Sequence, residues 1–277
     1  MDRYRERCSR LEELIKEYTK KDVMLAFSGG VDSSLLLKLL CRAAQESGKR
    51  VEAVTMDTEL HPSQDARTAR RVAEEAGAVH RVIRVDELSN AGILDNPENR
   101  CYLCKKHLFS ELLRTAEKEG ICTVLEGTNA DDLNVYRPGI KAVKELGIQS
   151  PLAAAGMTKT DIRKLALEYG ISVADRPASP CLATRFPYGT RLSREKMQMA
   201  DEAEKSLRKM GFYNVRVRVH EETARIEVDD RDLSSLLKNR KAVVSRLKEL
   251  GFTYITADLE GFRSGSMDVN LKQGKEI

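Results

Sequence analysis

Apolar positions in the first part of the chain alternate between helical spacing and short continuous runs. Leu11, Leu14, Ile15 and Tyr18 recur at helical spacing and predict an amphipathic helix over 3–19. The run from Val23 to Phe27 reads as a strand, and Leu35 opens a helix that reaches about Glu46. The same alternation continues with a strand at Val51–Met56, a helix at Ser63–Gly77 and a strand at His80–Val85. A helix over Tyr102–Gly120, a strand at Thr123–Glu126, a helix after the capping residue Thr158 and a short strand at Ile171–Val173 follow. Strands and helices alternating at this spacing predict an α/β fold, a parallel sheet with helices on both faces. Ligands of such sheets bind at the carboxyl ends of the strands. The turn after Phe27, Met56 and the segment Gly127-Thr128-Asn129 all fall at such ends, so they are expected to share a crevice.

The texture changes from Pro177 to Arg191, where prolines, a cysteine and arginines occur without periodicity. Ser193 then starts a helix to Lys209. Strict alternation over 214–219 and 224–228 predicts an antiparallel pair turning near Glu221-Glu222. A helix over 232–250 and a strand over 252–257 complete a smaller α+β unit. The expected division is therefore residues 1–190, the larger α/β unit, and 191–277, a smaller α+β unit serving substrate binding or oligomerisation. There is no internal repeat, and the chain is expected to fray from about Gln273.

Composition narrows the function classes. The 277 residues carry 47 basic and 43 acidic side chains, a net charge of +4, no tryptophan and 5% aromatics. That balance suits a small anionic substrate and argues against a nucleic-acid platform. No stretch is apolar enough to cross a membrane, and the charged start Met1–Arg7 is unlike a secretory leader, so a cytoplasmic location is expected. Six cysteines in that setting are not a disulfide scaffold.

Ser28-Gly29-Gly30-Val31-Asp32-Ser33-Ser34 lies between the first strand and the helix that follows. Two glycines allow a sharp turn, and the first-turn N–H groups with the helix dipole make an anion cradle. The lysine of a Walker loop is absent, so the phosphate grip is of another kind. The string resembles the SGG-x-DS loop of the PP-loop ATP pyrophosphatases. That resemblance implies that ATP is cleaved between its α and β phosphates, with a substrate oxygen adenylylated. ATP contacts are then expected from Ala26 through Ser34, and from Met56, Gly127, Thr128, Asn129, Asp132 and Arg137. Asp32 is the first choice to position Mg²⁺. Asp131 and Asp132 are read either as metal or ribose ligands or as solvated loop acids.

Three cysteines carry candidate chemistry. Cys101 and Cys104 form C-x-x-C beside Arg100, Lys105 and Lys106, and Cys181 lies close to Arg185. Neighbouring positive charge favours the reactive thiolate. Three thiolates could hold an iron–sulfur cluster with one iron open to exogenous sulfide. With His107 they could instead form a closed Cys₃His zinc site, or Cys101 and Cys104 could be a redox pair. Cys8, Cys41 and Cys122 read as small apolar residues. Arg216 and Arg218 share one face of a strand and, with Arg185, could hold a substrate phosphate or carboxylate.

The phosphate loop, Gly-Thr-Asn-Ala-Asp-Asp at 127–132, Tyr136-Arg137-Pro138-Gly139 and Cys-Leu-Ala-Thr-Arg-Phe-Pro-Tyr-Gly at 181–189 together resemble the LarE family over nearly the whole chain. These are ATP-dependent sulfur transferases of nickel-pincer nucleotide synthesis. The resemblance implies adenylylation of a carboxylate of pyridinium-3,5-biscarboxylate mononucleotide, then replacement of the adenylate by sulfur. It adds Glu204 and Glu227 to the substrate basin of Arg185, Arg216 and Arg218. One branch of the family sacrifices a cysteine matched by Cys181; the other holds a 4Fe–4S cluster through three cysteines. With Cys101 and Cys104 as well as Cys181, this chain resembles the cluster branch, with a sacrificial Cys181 as the alternative. The family is often homo-oligomeric, and a tRNA-thiolating enzyme is the alternative.

Overall fold

The computed structural model describes residues 3–135, 137–177, 179–263, 266 and 267. Tyr136 and the tail from Gln273 lie outside them. The first unit is built on β1 (Val23–Ala26), whose alternating side chains feed two cores. Val23 and Leu25 join one cluster with Leu11 and Ile15 of α1 (Arg3–Tyr18), Leu35–Leu37 of α2 (Val31–Ser47), Val72 of α3 (Ser63–Ala76) and Ile162 of α8 (Lys159–Glu168). Met24 faces the other, with Phe109 and Leu112 of α5 (Arg100–Lys118) and Val143 of α6 (Gly139–Glu145). A two-residue period on a sheet covered on both faces produces this division.

The four strands run in the order β3-β2-β1-β4, with β2 at Val51–Asp57, β3 at Val79–Arg84 and β4 at Thr123–Leu125. All pairs are parallel; Val23 stands opposite Val51 on one side and Thr123 on the other. The expected helix-covered parallel sheet is therefore the fold of this unit. Short helices α4 (Glu87–Asn90) and α7 (Pro151–Ala154) lie in its connections.

Ile171–Val173 is not a strand. Gly170, at φ +63, ends α8, and the Ala174 N–H closes a turn on the Ile171 carbonyl. Ile171 and Val173 pack on the first core without a ladder partner. Beside β4 the chain instead returns at Gln149, whose N–H bonds Val124 O and whose carbonyl takes the Glu126 N–H.

The second unit comprises Pro180–Ile277 together with Glu59–Pro62 and Leu94–Glu98. Residues 180–190, placed before the boundary on sequence, belong to it, because the Leu182 N–H bonds Leu60 O and Asn96 Nδ2 bonds the Phe186 and Pro187 carbonyls. Helix α9 (Arg194–Lys209), capped by Ser193, packs on β5 (Val215–His220), which pairs antiparallel with β6 (Thr223–Val228). The expected 232–250 helix divides at Asn239 into α10 (Leu233–Lys238) and α11 (Arg240–Glu249), where the Asn239 amide bonds Ser235 O. The last strand, β7 (Tyr254–Ala257), is parallel to β6. Among the described residues no helix is long and apolar enough to cross a membrane.

Candidate active site

The phosphate turn is held by its own serines. Ser33 Oγ donates to Gly30 O at 3.2 Å and accepts the Ser28 N–H at 3.3 Å; Ser28 Oγ lies 3.2 Å from it. Gly30 is extended and gives α2 no side-chain cap, so the N–H groups of its first turn face the crevice without a competing oxygen. Ser34 Oγ is buried with no partner among the described residues. Gly29 sits at φ +70, and a Cβ there would meet backbone N and Cα of Ala69 at 2.8 Å. Gly29→Ala is expected to cost about 1–2 kcal/mol for the left-handed backbone and about 1–3 kcal/mol for overpacking. Denaturant unfolding of the variant measures that loss.

Asp32 stands in the first turn of α2 and is the hub of the crevice. Its Oδ1 accepts from Asn129 Nδ2 at 3.2 Å, and its Oδ2 is ion-paired to Lys159 Nζ. Asn129 is fixed in turn by Asp132: N–H to Oδ2 at 3.2 Å, and Asp132 N–H to Asn129 Oδ1 at 3.1 Å. Arg137 Nη2 pairs with Asp132 Oδ1 at 2.9 Å. Asp131 accepts the Lys159 N–H at 2.8 Å, at the capped start of α8. Beneath them, buried Glu126 accepts from Thr128 N–H and Oγ1, from Ser150 Oγ, and from Lys105 Nζ at 3.5 Å, shaping the Gly127–Asn129 bend. Gly127 lies so close that a Cβ would reach Ser33 N at 3.3 Å.

The sheet-end residues divide. Ala26 and Met56 are half-buried at strand ends. Phe27 is a core residue: its ring stands edge-on to His80 at 5.8 Å, and its carbonyl accepts Thr55 Oγ1 at 2.7 Å. Its backbone, not its ring, shapes the turn.

Cys101 and Cys104 stand one turn apart at the start of α5. Cys101 is exposed, with Arg100 Nη2 3.9 Å from its sulfur. Cys104 Sγ donates to Glu87 Oε2 at 3.1 Å, and Glu87, fully buried, also accepts from Thr58 Oγ1 at 2.8 Å. Gly139 packs on this turn; a Cβ there would meet Cys101 O at 3.3 Å and Lys105 Cδ at 2.8 Å. Two soft donors at i,i+3 suit two corners of an iron–sulfur cluster. Among the described residues no group of three or more His, Cys, Asp or Glu is gathered around a metal position. His107 Nε2 is buried without a partner there.

Cys181 lies in the second unit, at the start of a one-turn 3₁₀ helix, Leu182–Arg185. Its segment is clamped by buried arginines. Arg185, 1% exposed, makes a bidentate pair with Glu204 (2.7 and 2.9 Å), and its Nη1 reaches the carbonyls of Pro180 (3.0 Å) and Cys181 (3.3 Å). Arg218 pairs with Glu227 (3.0 and 2.7 Å) and donates to Thr184 O at 2.8 Å. Glu204 also takes Arg208 and the Val217 N–H, and Glu227 takes Arg225. Arg216 donates to Val215 O and lies over the Phe262 ring at 5.2 Å. Burial first, then the nearby Arg185 guanidinium, pushes it down to about 10. Arginine thus outnumbers carboxylate in this basin, which favours an arriving anion. Burial works to raise the Glu204 carboxyl, but Arg185 holds it below the usual range.

Glu204→Ala is expected to destabilise this unit by about 3–5 kcal/mol, because it leaves a buried guanidinium unpaired. A depressed folded-state pKa contributes stability at neutral pH that is lost as pH falls below the ordinary value of 4.5. The gap in melting temperature between wild type and variant is therefore expected to narrow on acidification.

Residues 4–134 match the PP-loop domain family. An uncharacterised protein of Synechocystis is 37% identical over 263 residues, covering 94% of this chain and 97% of that one. The pyridinium-3,5-bisthiocarboxylic acid mononucleotide synthase of Lactiplantibacillus plantarum is 40% identical over 254 residues, 91% of both chains. The chain belongs to the LarE family. As a LarE-family enzyme it is an ATP-dependent sulfur transferase. The tRNA-specific 2-thiouridylase MnmA of Rickettsia bellii matches less, 27% identical over 57% of this chain and 52% of that one.

Two residues of this crevice are missing from the sequence reading. Lys159 follows a recognisable cap, but nothing local marks it as the partner of Asp32. Glu126 reads as the end of a strand; the only signal is an acid where an apolar residue would fill a buried strand end.

Proposed function

We propose that this chain adenylylates a carboxylate of pyridinium-3,5-biscarboxylate mononucleotide and replaces the adenylate by sulfur, giving a thiocarboxylate for a nickel-pincer nucleotide. The observation that carries this reading is the chain-long likeness to the Lactiplantibacillus synthase, joined to a PP-loop turn with Asp32 at its hub. A carboxylate is a poor electrophile, and adenylylation makes its oxygen a leaving group. The first turn of α2 would take the phosphates, and Asp32 would hold Mg²⁺, whose charge would offset that of the departing pyrophosphate. Asp132, Arg137 and Asn129 order the nucleotide loop.

Cys101, Cys104 and Cys181 supply the thiolates for a 4Fe–4S cluster, which when bound offers an open iron for sulfide. In the substrate basin Arg185 and Arg218, with Glu204 and Glu227, hold the Cys181 segment, and Arg216 receives the substrate anion. The protein acts in the cytoplasm as a homo-oligomer on this small molecule.

Purified anaerobically and given Mg·ATP and the biscarboxylate nucleotide, the protein is expected to release pyrophosphate only when that substrate is present. Mass spectrometry then reads a product in which sulfur has replaced one oxygen. Pyrophosphate release that responds to tRNA and not to the nucleotide would reject this reading for the MnmA-like one. Iron and acid-labile sulfide analysis tests the cluster separately.

A further inference from the structure

The partner of Asp32 is a lysine that lies 127 positions away in the chain. Lys159 is the first residue of α8, directly after the Thr158 cap, and its N–H is tied to Asp131. The backbone is therefore fixed, while the side chain reaches the first turn of α2, beside the phosphate cradle. The pair is partly solvated, with Asp32 21% and Lys159 36% exposed as side chains. Ion pairs at such exposure add little to stability, so this one breaks easily. While it stands, the Asp32 carboxylate is occupied by an ammonium and is not open to a cation arriving with a triphosphate.

We propose that Lys159 is a triphosphate-binding residue that changes partners, leaving Asp32 for the β and γ phosphates when Mg·ATP binds. This rests on the nucleotide reading above. In the empty site Lys159 holds Asp32 in place. In the loaded site it offsets charge on the leaving group. The substrate carboxylate oxygen bonds the α phosphorus, the bond from that phosphorus to the bridging oxygen breaks, and its electron pair departs with pyrophosphate. No proton need move. An ammonium on a flexible four-carbon stem suits such an exchange better than a fixed fork.

Calorimetry with Mg²⁺ and α,β-methylene ATP, which does not turn over, tests this on the intact chain. Lys159→Met is expected to weaken binding about tenfold or more, the scale of one charge-assisted phosphate contact. Lys159→Arg is expected to recover most of that loss. In Lys159→Met the half-saturating Mg²⁺ concentration falls, because Asp32 has lost its competing cation. Unchanged nucleotide affinity in Lys159→Met, or a Mg²⁺ requirement that rises, overturns the inference. Should Lys159→Met fail to fold, a crystal structure of wild type with the same analogue decides. Lys159 Nζ about 3 Å from a phosphate oxygen supports it, and Nζ still on Asp32 overturns it. Wild type that does not bind Mg·ATP at all removes the nucleotide reading and this inference together, a result distinct from a failure at Lys159 alone.

Discussion

Cys181→Ala is expected to abolish thiocarboxylate formation while adenylylation continues. The two half-reactions draw on different parts of the chain. Pyrophosphate release depends on the α2 turn, Asp32 and the Asn129 loop, all in the first unit. The Cys181 sulfur has no part in that step. The variant is also expected to fold, because Arg185 and Arg218 grip the main chain of the segment. The measurement is paired: pyrophosphate by coupled assay and thiocarboxylate by mass spectrometry from the same reaction. Loss of both signals, with the protein still folded, would contradict the division of labour. In wild type, a mass loss of about 34 Da after turnover, one H₂S, marks consumption of the thiol. An unchanged mass over many turnovers marks sulfur carried from outside.

Asp32→Asn is the second large effect. The amide keeps the shape of the side chain and can still meet Asn129, but it carries no charge for Mg²⁺. A metal ion placed on a phosphoryl oxygen contributes several kcal/mol to the transition state. Losing about 4 kcal/mol slows pyrophosphate release on the order of a thousandfold at each 1.36 kcal/mol per decade. Raised Mg²⁺ is expected to recover little of it. A variant within tenfold of wild type would move the metal-positioning role to another carboxylate of the crevice, with Asp132 nearest in the network.

What could be read from sequence followed the range of the interaction. The α2 turn is contiguous, so its residue types and its strand-turn-helix setting were visible together. The shared face of Arg216 and Arg218 also followed, since a strand repeats every two residues. That this face is buried and matched by Glu204 of α9 and Glu227 did not follow, because a charged strand face is ordinarily solvated. Lys159 was invisible for the same reason: its partner is fixed by how α8 meets α2, and no local pattern encodes that. Ile171–Val173 shows the opposite failure. Ile171 and Val173, in a stretch suited to a strand, pack on the core within a turn, while Gln149, in a polar stretch, takes the ladder position beside β4. Burial and strand pairing draw on the same residue types over so short a run, and tertiary placement decides between them.

The clamp on the 180–185 segment grips the peptide oxygens of Pro180, Cys181 and Thr184. The hold on those oxygens does not depend on which atoms the side chain at 181 carries. Were Cys181 consumed instead of serving a cluster, those main-chain bonds would persist in the spent polypeptide.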